Sequence, residues 1–206
     1  MSIARKLLMG SSGGKKSTYV DDVFSTFLYR GNATARTITN GIDLSGEGGM
    51  TWIKNRDGVF NHTLFDTARG TAKIIRSSTS GAESSGGQTL TAFNNNGFSL
   101  GTDSMVNSNT QDTVSWTFRK QKGFFDIVQY TGTGSNRTIA HSLGCVPGCI
   151  IIKRTDTSAD WIVYHRSGGD ESTNGYEYNL KLNTTDARNG SSTVWNNTGP
   201  TATNFS

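Results

Sequence analysis

Residues 49–54 (GMTWIK) recur in pattern as residues 148–153 (GCIIIK), and this pair of segments predicts the fold. Each segment begins with glycine, continues with β-branched, aromatic or other apolar residues, and ends with lysine. Residues of these types favour the extended backbone of a strand, and the apolar run at 150–152 is typical of a strand buried on both faces. Two equivalent strands about one hundred residues apart predict an internal repeat.

Four further pairs of segments extend the repeat in both directions and keep the same order along the chain. They pair 23–31 (VFSTFLYRG) with 124–132 (FFDIVQYTG), 36–38 (RTI) with 137–139 (RTI), 63–65 (TLF) with 161–163 (WIV), and 93–95 (FNN) with 195–197 (WNN). One match could arise by chance in a chain rich in Thr and Asn, but five in sequence could hardly do so. We therefore expect a tail of residues 1–21, a first module of residues 22–122 and a second module of residues 123–206.

The two modules differ at their C-terminal ends. After 97–99 (GFS), the first module continues to a strongly alternating segment, 112–119 (DTVSWTFR). The second module stops at 204–206 (NFS), the counterpart of 97–99, so we expect its closing strand to be missing and an edge of the sheet to be exposed. We further expect the 206 residues to be the N-terminal part of a longer polypeptide. A mass of 22.2 kDa for the native protein would contradict that expectation.

Alternation of apolar and polar residues predicts an all-β fold. Many short strands, with almost no helical periodicity after residue 20, indicate tandem β-sandwich or jelly-roll-like modules. Residues 119–123 form the one plausible linker, and because it is short we expect the modules to be stacked. The predicted strands lie near residues 23–29, 50–54, 62–66, 71–76, 112–119, 124–130, 149–153, 160–165 and 176–182.

The N-terminal tail has a helical pattern. Ser2 is an acceptable N-cap, Ile3, Leu7 and Leu8 share one helix face, and Gly10 ends the pattern. A helix of about eight residues is marginal alone in water, so its apolar stripe needs a partner. We expect a short helical anchor that docks on another protein, followed by a flexible tether. The candidate docking residues are Ile3, Arg5, Lys6, Leu7, Leu8 and Met9.

Charge and cysteine usage argue against several classes of protein. The net charge of +4 is spread along the chain, with two short basic clusters at 15–16 (KK) and 119–122 (RKQK), so we expect no nucleic-acid binding. The sequence has no run long enough to insert in a membrane and no convincing signal peptide. Two cysteines do not make a disulfide framework, which favours synthesis in a reducing cytosol.

The sequence motifs predict no enzyme, no cofactor and no metal site. Residues 10–18 (GSSGGKKST) fail the spacing of a phosphate-binding loop. The counterparts of His141 and Cys149 in the first module are Asn40 and Met50, which favours a hairpin with incidental thiols over a metal site. Acidic residues occur mostly singly in turns, and no nucleophile elbow is present. The conceivable zinc ligands weighed in this way are Cys145, Cys149, His141 and His165.

Aromatic residues with polar neighbours form a weaker candidate site, because aromatic faces can stack on sugars. The alternative is that Trp161 and Tyr164, which lie in a predicted strand, belong to the core. The candidate glycan-binding residues are Trp161, Tyr164, Tyr176 and Tyr178.

Five segments carry a family resemblance: 37–44 (TITNGIDL), 49–56 (GMTWIKNR), 64–70 (LFDTARG), 96–101 (NGFSLG) and 143–148 (LGCVPG). Together they resemble a module of bacteriophage structural proteins, common in tail-fibre-like proteins of marine phages, including those that infect cyanobacteria. The resemblance implies a lectin-like β-sandwich, a place in the virion, a role in assembly or host attachment, and no catalytic residues.

The same resemblance implies partners for the chain. The N-terminal segment, residues 1–21, would dock on a hub, adaptor or nozzle protein of the phage tail. The two modules would form the start of the fibre shaft. Because phage fibres are commonly trimeric, the resemblance implies a homotrimer that is made in the host bacterial cytoplasm. Its distal parts would bind a host surface glycan. We therefore expect the N-terminal, virion-attached part of a tail fibre. A head fibre or capsid decoration protein, a lectin-like glycan-binding module and a depolymerase remain as alternatives, in that order.

Overall fold

The computed structural model describes residues 18–169, 174–191 and 193–206, and these residues form antiparallel strands with few helical turns. The all-β prediction is confirmed. The helical turns are α1 (Val20–Val23), α2 (Ser104–Asn107) and a 3-10 turn (Gly175–Glu177). No helix in this part of the chain has the length and apolar character needed to cross a membrane. The predicted docking residues all lie outside the described residues, so the tail and its helical anchor stay predictions: Ile3, Arg5, Lys6, Leu7, Leu8 and Met9.

The first half of the chain, which we define as residues 18–122, contains nine strands. They are β1 (Phe24–Arg30), β2 (Arg36–Thr39), β3 (Gly49–Asn55), β4 (Thr63–Asp66), β5 (Lys73–Arg76), β6 (Ser84–Ser85), β7 (Leu90–Asn94), β8 (Gly97–Leu100) and β9 (Asp112–Arg119). Six of them form one sheet in the order β1-β9-β3-β4-β5-β6, and the other three form a second sheet in the order β2-β8-β7.

The two sheets of the first half share one buried core. Ile53, Phe65 and Ile74 come from the six-stranded sheet, while Ile38 and Phe98 come from the three-stranded sheet, and all five belong to one cluster of buried side chains. The alternation in β3 produces this arrangement, because every second residue of the strand is fully buried. The first half therefore has the layered arrangement of a sandwich.

The second half, residues 123–206, is a smaller set of strands. They are β10 (Ile139–Ala140), β11 (Cys149–Ile152), β12 (Ile162–His165), β13 (Tyr178–Lys181), β14 (Asn189–Gly190) and β15 (Asn204–Phe205). Four of them form a sheet in the order β11-β12-β13-β14, and β10 pairs separately with β15.

Strand pairing follows the same register in both halves. The order β3-β4-β5-β6 reappears as β11-β12-β13-β14, and the pair β2·β8 reappears as β10·β15. Matching pairs, first half before second, are Met50↔Asp66 with Cys149↔His165, Thr63↔Arg76 with Ile162↔Lys181, and Ile38↔Phe98 with Ile139↔Phe205. These registers support two modules related by a repeat, whose boundaries stay a prediction. They match Thr63 with Ile162, so the sequence-based pairing of 63–65 with 161–163 is displaced by one residue.

Residues 124–130 differ from the sequence-based expectation. The pattern predicts a strand, but the structure describes a turn, one bridge between Gln121 and Phe125, and irregular backbone from Asp126 onward. The counterpart segment, β1, is a strand along which β9 pairs in full. No strand in the described part of the chain pairs with residues 126–130, and a strand without a partner has no ladder to hold it extended.

Trp161 joins the two halves. Its ring is 3% exposed and packs in one cluster with Leu64 and Ile75, on the opposite face of the large sheet from the main core. Its indole N–H donates to the carbonyl oxygens of Arg76 (2.9 Å) and Thr79 (3.2 Å). The backbone N–H of Ala159 donates to the carbonyl of Ser80 nearby. The second half is therefore packed against the first, as the short linker predicts.

Candidate functional site

The position of β9 is occupied in the first half and open in the second. In the first half, β9 forms seven residue pairs with β1 and seven with β3. In the second half, residues 124–130 are the counterpart of β1 and β11 is the counterpart of β3. Among the described residues, however, β11 is an edge strand that pairs only with β12. We name the position bounded by residues 124–130 and β11 the open slot.

Apolar side chains along the open slot are exposed. Ile150 and Ile152 on β11 are only partly buried, whereas their counterparts Thr51 and Ile53 on β3 are fully buried. Ile151 is 45% exposed, so the prediction of a strand buried on both faces at 150–152 is wrong. Phe124 and Tyr130 are each 40% exposed on the other side of the slot. Exposed apolar groups beside an unpaired strand edge are typical of a surface that binds another polypeptide.

Tyr130 differs from its counterpart Tyr29 in how it is covered. Its counterpart Tyr29 is buried beneath α2, donates its hydroxyl hydrogen to the carbonyl of Val106 (2.6 Å), and has its pKa raised by that burial. Tyr130 keeps the neighbouring arginine, since Arg137 donates to the Thr131 carbonyl at 2.8 Å as Arg36 donates to that of Arg30 at 2.7 Å. However, no described helix covers Tyr130 as α2 covers Tyr29. The Tyr130 ring packs edge-on against Phe205 of β15, with 6.1 Å between the ring centroids.

An open depression of about 430 Å³ lies beside residues 126–129. Asp126 fixes its wall by accepting hydrogen bonds from the backbone N–H of Ser142 (2.8 Å) and its hydroxyl (2.9 Å), and by an ion pair with Lys120 (3.0 Å). Burial raises the pKa of Asp126, but the hydrogen bonds from Ser142 and Lys120 outweigh it and lower the pKa overall. Asp126 is thus a charged structural group, tied to the linker. The lining residues are Lys120, Asp126, Ile127, Val128, Gln129, Ala140, His141 and Ser142.

The histidines considered as zinc ligands act as turn acceptors. His141 Nδ1 accepts from the backbone N–H of Leu143 (3.2 Å), as the Asn40 side chain accepts from that of Ile42 (3.2 Å). His165 Nδ1 accepts from the N–H of Ser167 (3.2 Å) in the same way. Cys145 and Cys149 are free, exposed thiols. Within residues 18–169, 174–191 and 193–206, no cluster of three or more His, Cys, Asp or Glu side chains could hold a metal.

The predicted glycan-binding aromatics do not form one exposed surface. Trp161 is buried between the two halves, and Tyr164 is 6% exposed and packs edge-on against Trp195 (5.7 Å). The ring of Tyr178 is covered by the guanidinium of Arg188 at 4.1 Å from its centroid. Tyr176 lies beside Gly199. For Trp161 and Tyr164, the structure matches the alternative interpretation, in which both belong to a core.

A polar cavity of about 570 Å³ on the three-stranded sheet was missed by sequence reasoning. The hydroxyls of Thr37 and Ser99 lie 3.2 Å apart, and the Asn94 amide donates to Ser99 (2.9 Å). The signal was present, because Thr37 and Thr39 flank the buried Ile38, but a short polar strand is hard to recognise from pattern alone. The cavity is lined by Thr37, Thr39, Ser45, Phe93, Asn94, Asn95, Asn96 and Ser99.

A family model described as a domain of unknown function (DUF7483) matches residues 19–206, and the chain belongs to this family. The match spans both halves described above. No curated protein and no solved structure matches the chain.

Proposed function

We propose that this chain is a structural component of a phage particle, and that it forms the N-terminal, virion-attached part of a tail fibre. The resemblance of residues 37–44, 49–56 and 64–70 to modules of phage structural proteins supports a place for the chain in a phage particle. The geometry supports a role in assembly, because the second half presents an edge that another polypeptide can complete. The chain then acts by binding and not by chemistry.

The open slot is the observation that carries the assembly role. A sheet edge has a row of free N–H and C=O groups, and natural proteins usually protect such edges with charge, proline or cover. Along Cys149–Ile152, a run of four apolar residues, β11 has neither charge nor proline, and no described strand pairs with its free edge. A strand of a partner would pair with the edge through main-chain hydrogen bonds.

The proposal includes the partners that the resemblance implies. A hub, adaptor or nozzle protein of the phage tail would bind the N-terminal segment of the chain through Ile3, Leu7 and Leu8. Three copies of the chain would form the fibre. The protein would be made in the host cytoplasm and reside in the virion tail.

A lectin-like role is a second candidate, because the polar cavity suits a sugar. Its hydroxyl and amide groups can bond sugar hydroxyls, and Phe93 offers an aromatic contact. Binding on a glycan array that weakens at least tenfold in Asn94→Ala, but not in Asn197→Ala, would support this role. Tyr176→Ala should have no effect. If the chain binds no glycan on the array, the lectin-like role is refuted.

Immunogold labelling of intact particles tests the leading proposal. An antibody to the chain should label the tail near the head–tail junction of the phage that encodes it. Label on the capsid would instead assign a head fibre or decoration protein. Purified particles in which neither labelling nor mass spectrometry detects the chain would refute the virion role.

A further inference from the structure

We propose that Asn189 is a modification site of the chain, at which the side-chain amide is hydrolysed through a cyclic imide formed with Gly190. Glycine after asparagine favours this reaction, because a residue without a Cβ lets its backbone nitrogen come close to the asparagine side chain. The structure distinguishes this pair from the others of its kind. Four Asn-Gly pairs occur in the sequence, at residues 40–41, 96–97, 174–175 and 189–190.

The reaction uses water as its only co-reactant. The backbone nitrogen of Gly190 loses its proton and attacks Cγ of Asn189, so that a new N–C bond forms. The C–N bond of the side-chain amide breaks, and ammonia leaves with the displaced nitrogen. Water then opens the cyclic imide at one of its carbonyls, which gives either aspartate or isoaspartate, in which the main chain runs through the former side chain.

The N–H of Gly190 points away from the rest of the sheet. Its neighbours face β13, since Asn189 pairs with Asn179 and the N–H of Ser191 donates to the Glu177 carbonyl (2.8 Å). Successive residues of an antiparallel strand direct their backbone groups to alternate sides, so the N–H of Gly190 faces the other side of β14. Among the described residues that side is a free edge, because β14 is the last strand of its sheet.

The side chain of Asn189 can turn toward that nitrogen. Asn189 and Gly190 are both exposed, and the Asn189 amide has no hydrogen-bond partner in the described part of the chain. β14 has two residues, so few ladder hydrogen bonds oppose the small backbone movement that the attack requires. Both reacting groups are therefore available in the folded protein.

Two of the other pairs are held by the first half. The Asn40 amide donates to the Thr117 hydroxyl (2.8 Å), and its oxygen accepts from the N–H of Ile42 (3.2 Å). Gly97 is buried in β8, the central strand of the three-stranded sheet, so its backbone groups face a paired strand on either side. Neither pair can reach the geometry of the attack without local opening.

The remaining pair, at 174–175, is held by a turn. The Asn174 amide donates to the Glu177 carboxylate (3.0 Å), and the Asn174 carbonyl accepts from the backbone N–H of Glu177 (3.0 Å). Gly175 is buried, and a Cβ there would lie 2.6 Å from the carbonyl oxygen of His165. The backbone around Gly175 therefore cannot move without disturbing its neighbours.

The product would alter the edge of the sheet. Aspartate at position 189 lowers the net charge of the chain by one. Isoaspartate lengthens the main chain by one carbon, so the pairing of β14 with β13 cannot be kept on both sides of the modified residue. We expect the backbone N–H of Ser191 to exchange its hydrogen faster in the isoaspartate form.

Peptide mapping by mass spectrometry tests the proposal on the full chain. The folded protein is incubated in mildly alkaline buffer, which favours loss of the proton from the peptide nitrogen. Conversion at Asn189 should be at least about tenfold faster than at the asparagines of the other three pairs, since those must first open locally. In urea the four rates should become similar, because glycine follows each asparagine.

Variants of the chain assign the reaction to the pair. Gly190→Ala should slow conversion at Asn189 about tenfold, because a Cβ hinders the approach of the nitrogen. The fold should tolerate this change, since that Cβ would make an ordinary contact with the Tyr178 ring (3.5 Å). Gly132→Ala is the matched control, because nothing lies within 4 Å of its Cβ position, and it should leave the rate unchanged.

The proposal is overturned if Asn189 stays intact in the folded chain while the unfolded chain is converted. It is also overturned if the four sites react equally in the folded chain, or if Gly190→Ala leaves the rate at Asn189 unchanged. Conversion at Asn189 and labelling of phage particles are independent outcomes, so neither result decides the other.

Discussion

Asp66 illustrates how single side chains set the turns of this fold. It is 6% exposed, accepts from the backbone N–H groups of Ala68 (3.1 Å) and Arg69 (2.9 Å), and pairs with the Arg69 guanidinium (2.6 Å). In the second half, His165 takes over the turn and Gly168 stands in place of the arginine. The turn is thus kept while the buried ion pair is not.

Asp66→Ala should destabilise the protein by about 3 to 5 kcal/mol, because it leaves the 7%-exposed side chain of Arg69 with only the Glu83 carboxylate as ionic partner. His165→Ala is the matched control. It removes one turn acceptor without stranding a charge, so we expect a loss of about 1 kcal/mol. Urea unfolding of both variants measures the difference. Equal losses would show that the ion pair contributes nothing beyond the turn.

His62 should make stability depend on pH. Its Nδ1 accepts from the indole N–H of Trp52 (3.0 Å), and desolvation together with the charge of Lys54 lowers its pKa. Since the folded state disfavours protonation, this contribution is complete above the ordinary pKa of about 6.5 and is lost as pH falls through 6.5 toward the lowered folded pKa.

The measurement compares the original chain with His62→Gln. The free energy of unfolding of the original chain should fall more steeply between pH 7 and pH 5 than that of the variant. Asp126 titrates at lower pH, since its pKa is also lowered from its ordinary value of 3.8, so it does not interfere in this window. Parallel curves would mean that His62 titrates as it does in the unfolded chain.

At the scale of elements, the strands with strong alternation were predictable from sequence. Residues 112–119 were predicted as a strand, and β9 has those bounds. Seven strands were missed, because they have two to five residues and depend on a neighbouring strand: β2, β6, β7, β8, β10, β14 and β15. The prediction of a strand at residues 124–130 is wrong, because no described strand pairs with this segment and holds it extended. The alignment nevertheless predicted that residues 123–206 contain no counterpart of β9, and β11 is an edge strand among the described residues.

Gly97→Ala should disrupt the three-stranded sheet where β8 begins beside β2. Gly97 has φ of +135°, and a Cβ there would lie 2.0 Å from the carbonyl oxygen of Ile38 in the neighbouring strand. Strain and clash together should cost about 3 kcal/mol or more. Gly87→Ala is the control, because nothing lies within 4 Å of its Cβ position, and its effect should stay within about 0.5 kcal/mol. Thermal unfolding of the two variants measures the difference in stability. If Gly97→Ala were tolerated, the close approach of Gly97 to the Ile38 carbonyl would be contradicted.

At the scale of the whole molecule, the sequence predicted stacked halves but not the contact that stacks them. Trp161 begins a continuous apolar run, 161–164 (WIVY), as a core residue would, and nothing in that pattern shows that its neighbours belong to the other half. The contact depends on the carbonyls of Arg76 and Thr79, which any residues could supply. Backbone acceptors leave no signature in a sequence, so this interface was outside the reach of pattern.

Trp161→Ala should therefore uncouple the two halves. Removing the buried ring and its two hydrogen bonds should cost about 3 to 5 kcal/mol, and that loss should fall on the contact between halves and on the smaller second half. We expect calorimetry to show two unfolding transitions where the original chain shows one, with the upper transition belonging to the first half, which has the larger shared core. Trp161→Phe keeps most of the apolar contact and loses only the N–H donor, so it should retain one transition at a slightly lower temperature. A single transition in Trp161→Ala, displaced no further than in Trp161→Phe, would show that the halves are held together by other contacts, such as those of Ala159 and Lys153 with the Ser80 carbonyl.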